Sequence, residues 1–213
     1  AAKRLFVCAS LALAMYLVAP WATAQELLAK KKPDSLSGPP LVTAKAWAIA
    51  DGQTGKLLWG ENENTPVAIA STTKIMTAWL TLDLQREHPG ILDETMTISA
   101  DAAKTTGSSA KIQAGDTYSV RELLYGLLLP SGNDAATAFA EHCGARYRTG
   151  GDAESAVDAF VAQMNRQAAK WELKHTSYVD PHGLGKNQST AADLAQMAHQ
   201  VMQHELLRKI VGT

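Results

Sequence analysis

Cysteine is scarce in this chain. Of 213 residues only Cys8 and Cys143 carry a thiol, and neither belongs to a CxxC pair or to a Cys/His spacing that would bind zinc. The six histidines, at 88, 142, 175, 182, 199 and 204, contain no HExxH, and His199 and His204 lie five apart on an expected helix, an ordinary surface arrangement. No metal and no other cofactor is expected. Charge of one sign is lacking too: 20 Lys and Arg face 21 Asp and Glu, and no charge block reads as an interaction tail. That excludes the basic surface of a nucleic-acid binder. There are no repeats and no low-complexity runs. What remains, 46% hydrophobic and 19% charged, is the composition of an ordinary globular protein of one or two domains.

The first residues have their own pattern. "AAKR" is a positive start, "LFVCASLALAMYLVAP" is apolar, and "ATA" supplies small residues before Gln25. This is the three-part order of a secretory signal peptide over 1–24, cleaved between Ala24 and Gln25. The apolar stretch is shorter than the ~20 residues of a membrane span. Cys8 lies near its start, which argues against a lipoprotein cleavage site. The chain is therefore expected to be exported, to the periplasm or the outer face of the cytoplasmic membrane. Residues 25–43, polar and punctuated by Pro and Gly, read as a leader before a domain over 44–213. With no initiator Met, and a last residue directly after an expected helix, the sequence reads as a fragment of a longer protein.

Along 44–213, "AKAWAIAD-GQTG-KLLWGEN" reads as a β-hairpin. A helix follows over about 72–87, ended by His88-Pro89-Gly90. "ETMTIS" and "AKIQAGDTYS" look like short strands around the loop "KTTGSS". Ser119, with Glu122 three residues on, starts a helix that Pro130 stops. "DAATAFAEHCG" is a second, stopped by Gly144, and "DAESAVDAFVAQMNRQAAKWEL" a third. "HTSYVDPHGLG" reads as strand then turn, and one last helix runs from a cap at Ser189 or Thr190. The expected fold class is α/β (α+β): a helical body with an antiparallel sheet that is incomplete in this chain, since a lone hairpin rarely stabilises itself.

The first helix poses a question. It is apolar almost all round, with Ile75, Met76, Ala78, Trp79, Leu80, Leu82 and Leu84, yet it opens on Ser71 and carries Lys74 one turn in. Burying that lysine costs several kcal/mol unless its charge is paired or lost. Ser71 could be an N-cap with Lys74 snorkelling outward. Alternatively, because residues three apart share a helix face, Lys74 is the base that activates a Ser71 nucleophile. The SxxK pattern alone is cheap, since Ser108-Ser109-Ala110-Lys111 matches it as well. Context separates the two: Ser71 opens a buried helix, and Ser108 lies in a Gly/Ser loop. A second element, Ser131-Gly132-Asn133, is the only SxN in the chain and interrupts two apolar helices. It can be read as a turn in which Ser131 and Asp134 form a helix-start capping pair.

Together, SxxK at Ser71 and SxN sixty positions later resemble the serine penicillin-recognising enzymes. "DGQTGKLLWGENENTPVAIASTTKIMTAWLTLD", "GSSAKIQAGDTYSVRELLYGLLLPSGNDAATAFAE" and "SYVDPHGLG…STAADLAQMA" are similar, in order, to the low-molecular-mass D-alanyl-D-alanine carboxypeptidases. The resemblance runs from about Ala46 to the end of the chain. It implies a serine β-lactamase/DD-peptidase-like fold and hydrolysis of the terminal D-Ala–D-Ala bond of peptidoglycan stem peptides, with β-lactams as inhibitors. In this reading Ser71 is the nucleophile and Lys74 its base. The amide of Ser71 gives half of an oxyanion hole, and Ser131 relays a proton to the departing D-alanine. Asn133 binds the substrate's backbone amide and helps hold Lys74. The family also implies peripheral membrane association through a C-terminal region.

The family's third motif, Lys-Thr-Gly on a late strand, is missing. "KTTG" at 104–107 has an extra residue, and "RTG" at 148–150 comes too soon after Asn133. Truncation is the expected reason. A β-lactamase would be expected to carry an ExxLN segment, and Glu141, Glu154 and Glu172 stand in no such pattern. An endopeptidase would carry the same residues, and so would a non-catalytic wall-binding protein that keeps the fold. His182, in a turn between Pro181 and Gly183, is read as structural. Trp47, Trp59, Trp79 and Trp171 are read as packing residues, and Cys143 as a small buried side chain.

Overall fold

A computed structural model describes residues 42–148 and 155–213. The signal-peptide and leader expectations, apart from the last leader residues, lie outside the described residues, as do Thr149 and Gly150 of "RTG".

The expected hairpin forms between β1 (Trp47–Ala50) and β2 (Leu57–Glu61), paired antiparallel with Trp47 opposite Glu61. Its turn is tied by Asp51, whose carboxylate accepts the N–H groups of Gln53 and Thr54 at 3.0 and 2.7 Å. A two-residue strand β3 (Val67–Ala68) leads into a 3₁₀ turn, Ala70–Thr72, and then α1 (Thr73–Asp83). β4 (Thr95–Thr97), α2 (Ala100–Ala103) and β5 (Thr117–Ser119) follow, and β4 pairs antiparallel with β5. Next come α3 (Val120–Leu128), α4 (Asn133–Gly144) and α5 (Ala156–Lys170). The chain continues through β6 (Gln188–Ser189), α6 (Ala191–Val201) and α7 (Glu205–Val211). β6 pairs antiparallel with β3, which ties the late part of the chain to the entry of α1.

The apolar circumference of α1 is explained by its central position. It packs against α3, α4, α5 and α6, and Met76, Ala78 and Leu80 are fully buried. Leu124 and Leu127 of α3, Phe139 of α4, and Phe160 and Met164 of α5 fill the space around it. The threonines that interrupt this face are satisfied. Thr77 Oγ1 donates to the Pro181 carbonyl at 2.6 Å and Thr81 Oγ1 to the Thr77 carbonyl at 3.0 Å. Ser119 and Glu122 make the expected capping box at the start of α3. Trp79 and Trp171 pack together with ring centroids 5.0 Å apart, and Cys143 is fully buried.

Several local expectations change. "AKIQAGDTYS" contributes only Thr117–Ser119 as strand, and α2 adds a helical turn between "ETMTIS" and the "KTTGSS" loop, where none was expected. The last helix is two, broken at Met202–His204. Gly144 has φ near −63°, so it is no left-handed cap, and the chain runs on into a 3₁₀ turn through Tyr147. A Cβ at Gly144 would stand 1.8 Å from the carbonyl oxygen of Ala156, so its glycine lets α4 and α5 touch. Among the described residues no helix is long and apolar enough to cross a membrane.

Candidate active site

Ser71 lies in the 3₁₀ turn just before α1, where the backbone is bent at Ala70 to φ +42°. It caps nothing: Thr72 is the N-cap residue of α1, and no side chain bonds there. Ser71 is exposed, whereas Lys74 is only 2% exposed, so the lysine does not snorkel. Lys74 Nζ lies 3.2 Å from Ser71 Oγ and donates to the His182 carbonyl oxygen at 2.9 Å. Burial lowers the lysine below its ordinary pKa, against the opposing charges of Asp180 and Asp134. A buried amine with a lowered pKa beside an exposed hydroxyl can take the hydroxyl's proton.

The contact to His182 depends on a turn that sequence reasoning leaves out of the site. Asp180 Oδ1 accepts the backbone N–H groups of His182 and Gly183 at 2.8 and 2.5 Å, and Oδ2 accepts that of Gly185. The His182 Nδ1 atom stands 3.0 Å from Asp180 Oδ1. Burial pushes this carboxyl up, but the His182 ring and the backbone N–H groups outweigh it and hold the acid far below the usual range. Asn187 braces the same turn: its Nδ2 donates to Thr73 Oγ1 and to the Asp180 carbonyl, both at 3.0 Å. Its Oδ1 accepts the Val179 N–H at 2.7 Å. The reading of His182 as structural is half of the account, because its ring serves the turn while its carbonyl serves Lys74. The signal in the sequence is "DPHGLG" itself, a short acidic side chain followed by turn formers.

Ser131 and Asn133 come from the junction of α3 and α4. Ser131 has φ +60°, and its buried Oγ has no hydrogen-bond partner among the described residues. The capping pair with Asp134 does not form, since Gly132 is the N-cap and bonds through no side chain. Asp134 instead accepts from Ser109 Oγ at 2.7 Å and from the Ala110 N–H at 2.9 Å. Asn133 Nδ2 donates to the Thr106 carbonyl at 2.7 Å, and the Asn133 N–H to that of Ser108, also at 2.7 Å. The hydrogen bonds of Lys74 go to Ser71 and His182, not to Asn133. The second SxxK therefore braces the SxN turn: Ser109 Oγ accepts the Lys111 N–H at 2.7 Å, and Lys111 has φ +61°.

Ser71, Lys74 and Ser131 line one cleft of about 330 Å³, walled on its apolar side by Ile75, Leu128 and Val211. An exposed hydroxyl, a buried amine and a second hydroxyl with no partner among the described residues thus face one space. No cluster of three or more metal-ligating side chains is present among the described residues.

Comparison with known proteins gives the family of the chain. The chain matches the D-alanyl-D-alanine carboxypeptidase family over residues 33–213. It is 34% identical to the D-alanyl-D-alanine carboxypeptidase DacF of Bacillus subtilis, over 80% of this chain and 42% of that protein. It is 35% identical to a D-alanyl-D-alanine endopeptidase of Pseudomonas aeruginosa, over 75% of this chain and 47% of the relative. The crystal structure of a Streptomyces DD-transpeptidase superposes with a TM-score of 0.72 at 33% identity, covering 84% of this chain and 67% of that one. The chain spans about half the length of the curated relatives it matches. The mixed helical and antiparallel architecture is that of the DD-peptidases, and the chain belongs to the D-alanyl-D-alanine carboxypeptidase family of serine peptidases.

Proposed function

We propose that the protein is a serine D-Ala–D-Ala carboxypeptidase that removes the terminal D-alanine from peptidoglycan stem peptides and is inhibited by penicillins. The observation that carries this reading is the 3.2 Å approach of a buried, pKa-lowered Lys74 amine to the exposed Ser71 hydroxyl. Lys74 takes the proton of Ser71 Oγ as that oxygen attacks the carbonyl carbon of the penultimate D-alanine. The tetrahedral oxyanion is held in part by the Ser71 amide. The proton passes through Ser131 to the nitrogen of the terminal D-alanine as the C–N bond breaks. The orphaned hydroxyl of Ser131 supports that role. Asn133 Oδ1 accepts a backbone N–H of the substrate while its amide nitrogen stays on Thr106. Water then hydrolyses the ester and restores Ser71. A β-lactam ring opens on the same serine and leaves slowly.

Such a substrate lies outside the cytoplasmic membrane. That agrees with a signal peptide over 1–24, a leader over 25–43 and a catalytic domain over 44–213, and with peripheral membrane attachment by a C-terminal region. Endopeptidase action, in which the leaving amine belongs to a cross-linked strand, is the second reading. It is favoured by the Pseudomonas relative that bears that name. The test is intact mass of the full-length protein after incubation with a penicillin, beside Ser71→Ala. One adduct per chain, lost in the variant, is expected. A folded wild type that takes no adduct would leave a non-catalytic wall-binding protein.

A further inference from the structure

The peptide unit between His182 and Gly183 is held at both ends by opposite charges. Its N–H donates to Asp180 Oδ1 at 2.5 Å, and its C=O accepts from Lys74 Nζ at 2.9 Å. A trans peptide directs these two groups in opposite directions, so carboxylate, amide and amine form one line of hydrogen bonds. A carboxylate at the N–H end polarises the amide and strengthens its carbonyl as an acceptor. Asp180 has few other ways to act: its side chain is 15% exposed and its oxygens are taken up by N–H groups of its own turn.

We infer that Asp180 is a positioning residue of the acylation step, acting through the His182–Gly183 peptide to aim Lys74 Nζ at Ser71 and to place a negative charge behind it. This rests on the serine-acylation reading given above. A neutral amine has one lone pair. With one of its two N–H groups held on the His182 carbonyl, the amine has few orientations left, and in one of them its lone pair faces the Ser71 hydroxyl 3.2 Å away. The same line of bonds favours the protonated amine after the transfer, which makes Lys74 a stronger base than burial alone would allow. The titratable groups beside Lys74 are Asp180, from the turn and in contact with the His182 ring, and Asp134, from the start of α4. Asp134 is tied to Ser109, Ala110 and its own neighbour Ala135.

The test is the second-order rate of acylation by benzylpenicillin as a function of pH, on full-length wild type, Asp180→Asn and Asp180→Glu, with thermal unfolding to establish that each is folded. In Asp180→Asn the rising limb of the profile moves to lower pH by about one unit, and the plateau falls by about tenfold. In Asp180→Glu the charge is kept, so the limb stays while the plateau drops. A limb that stays put in a folded Asp180→Asn reduces Asp180 to scaffolding and overturns the inference. If Asp180→Asn fails to fold, Asp180→Glu decides: a displaced limb overturns the inference and a retained one supports it. Absence of any adduct on wild-type Ser71 is a separate result and removes the functional reading itself.

Discussion

A Cβ added at Gly183 would lie 1.9 Å from the carbonyl oxygen of Ala70, the residue immediately before Ser71. The turn that bonds Lys74 thus presses directly on the backbone that presents Ser71. Gly183 also sits at φ +94°, where side chains are strained. Gly183→Ala is expected to destabilise the protein by about 2–4 kcal/mol and to slow penicillin acylation of the chains that remain folded. Urea unfolding and stopped-flow acylation measure the two effects. An unchanged acylation rate would mean that the two backbones are not coupled.

Gly144→Ala is the matched control. The clash is as severe, 1.8 Å to the Ala156 carbonyl, but it falls between α4 and α5. A loss of about 2–4 kcal/mol is expected here too, with the acylation rate per folded molecule kept.

Lys74→Met separates stability from activity. Acylation should fall by about 10²–10⁴-fold, the usual contribution of a general base. Stability at neutral pH should hold or rise, because an apolar side chain of similar length replaces a buried amine. Between the lowered folded-state pKa and the ordinary value of 10.5, the unfolded chain binds a proton that the folded chain does not. Stability from this site therefore increases with pH across that window. Denaturant titrations from about pH 7 to about pH 10 should show wild type gaining on the methionine variant. A constant difference would contradict the lowered pKa.

Glu94 makes the opposite pH prediction. Burial pushes its carboxyl up, but hydrogen bonds from His142 and Arg146, together with their charges, bring it below the ordinary 4.5. The His142 contact is 2.9 Å and the Arg146 contact 2.5 Å. A depressed acid stabilises above its unfolded pKa and loses that stabilisation as pH falls through the folded one. The melting temperature of Glu94→Gln should lie below wild type at neutral pH, and the gap should close as the solution is acidified past 4.5. A gap of constant size would show that charge has no part in it.

What is legible in the sequence is mostly local. The hairpin, the Ser119–Glu122 box, the helix that follows Ser71 and the Ser71–Lys74 pair all depend on spacings of a few residues, which pattern and propensity report directly. Family resemblance adds the fold and brings Ser131 into the site. The Asp180 turn escapes notice as a functional element because its value to Lys74 arises from a contact that no periodicity encodes. Gly144 ends its helix as read, but not as a left-handed cap, and only the neighbouring helix reveals that it is also a gap left for another backbone. The break at Met202–His204 contains no Gly or Pro, so the sequence offers no punctuation for it.

Lys74 receives its carbonyl partner from a residue 108 positions later, and Thr77, one turn on, binds Pro181 across 104. While the chain is being made, the serine at 71 is present long before the turn that meets Lys74. If Ser71 is the acylated residue proposed above, a half-emerged or misfolded chain holds an ordinary, unreactive hydroxyl at that position. Covalent penicillin label would then report how many molecules have completed the late docking step, read from a gel without purification. Followed through time during refolding, it would clock the arrival of residues 180–187.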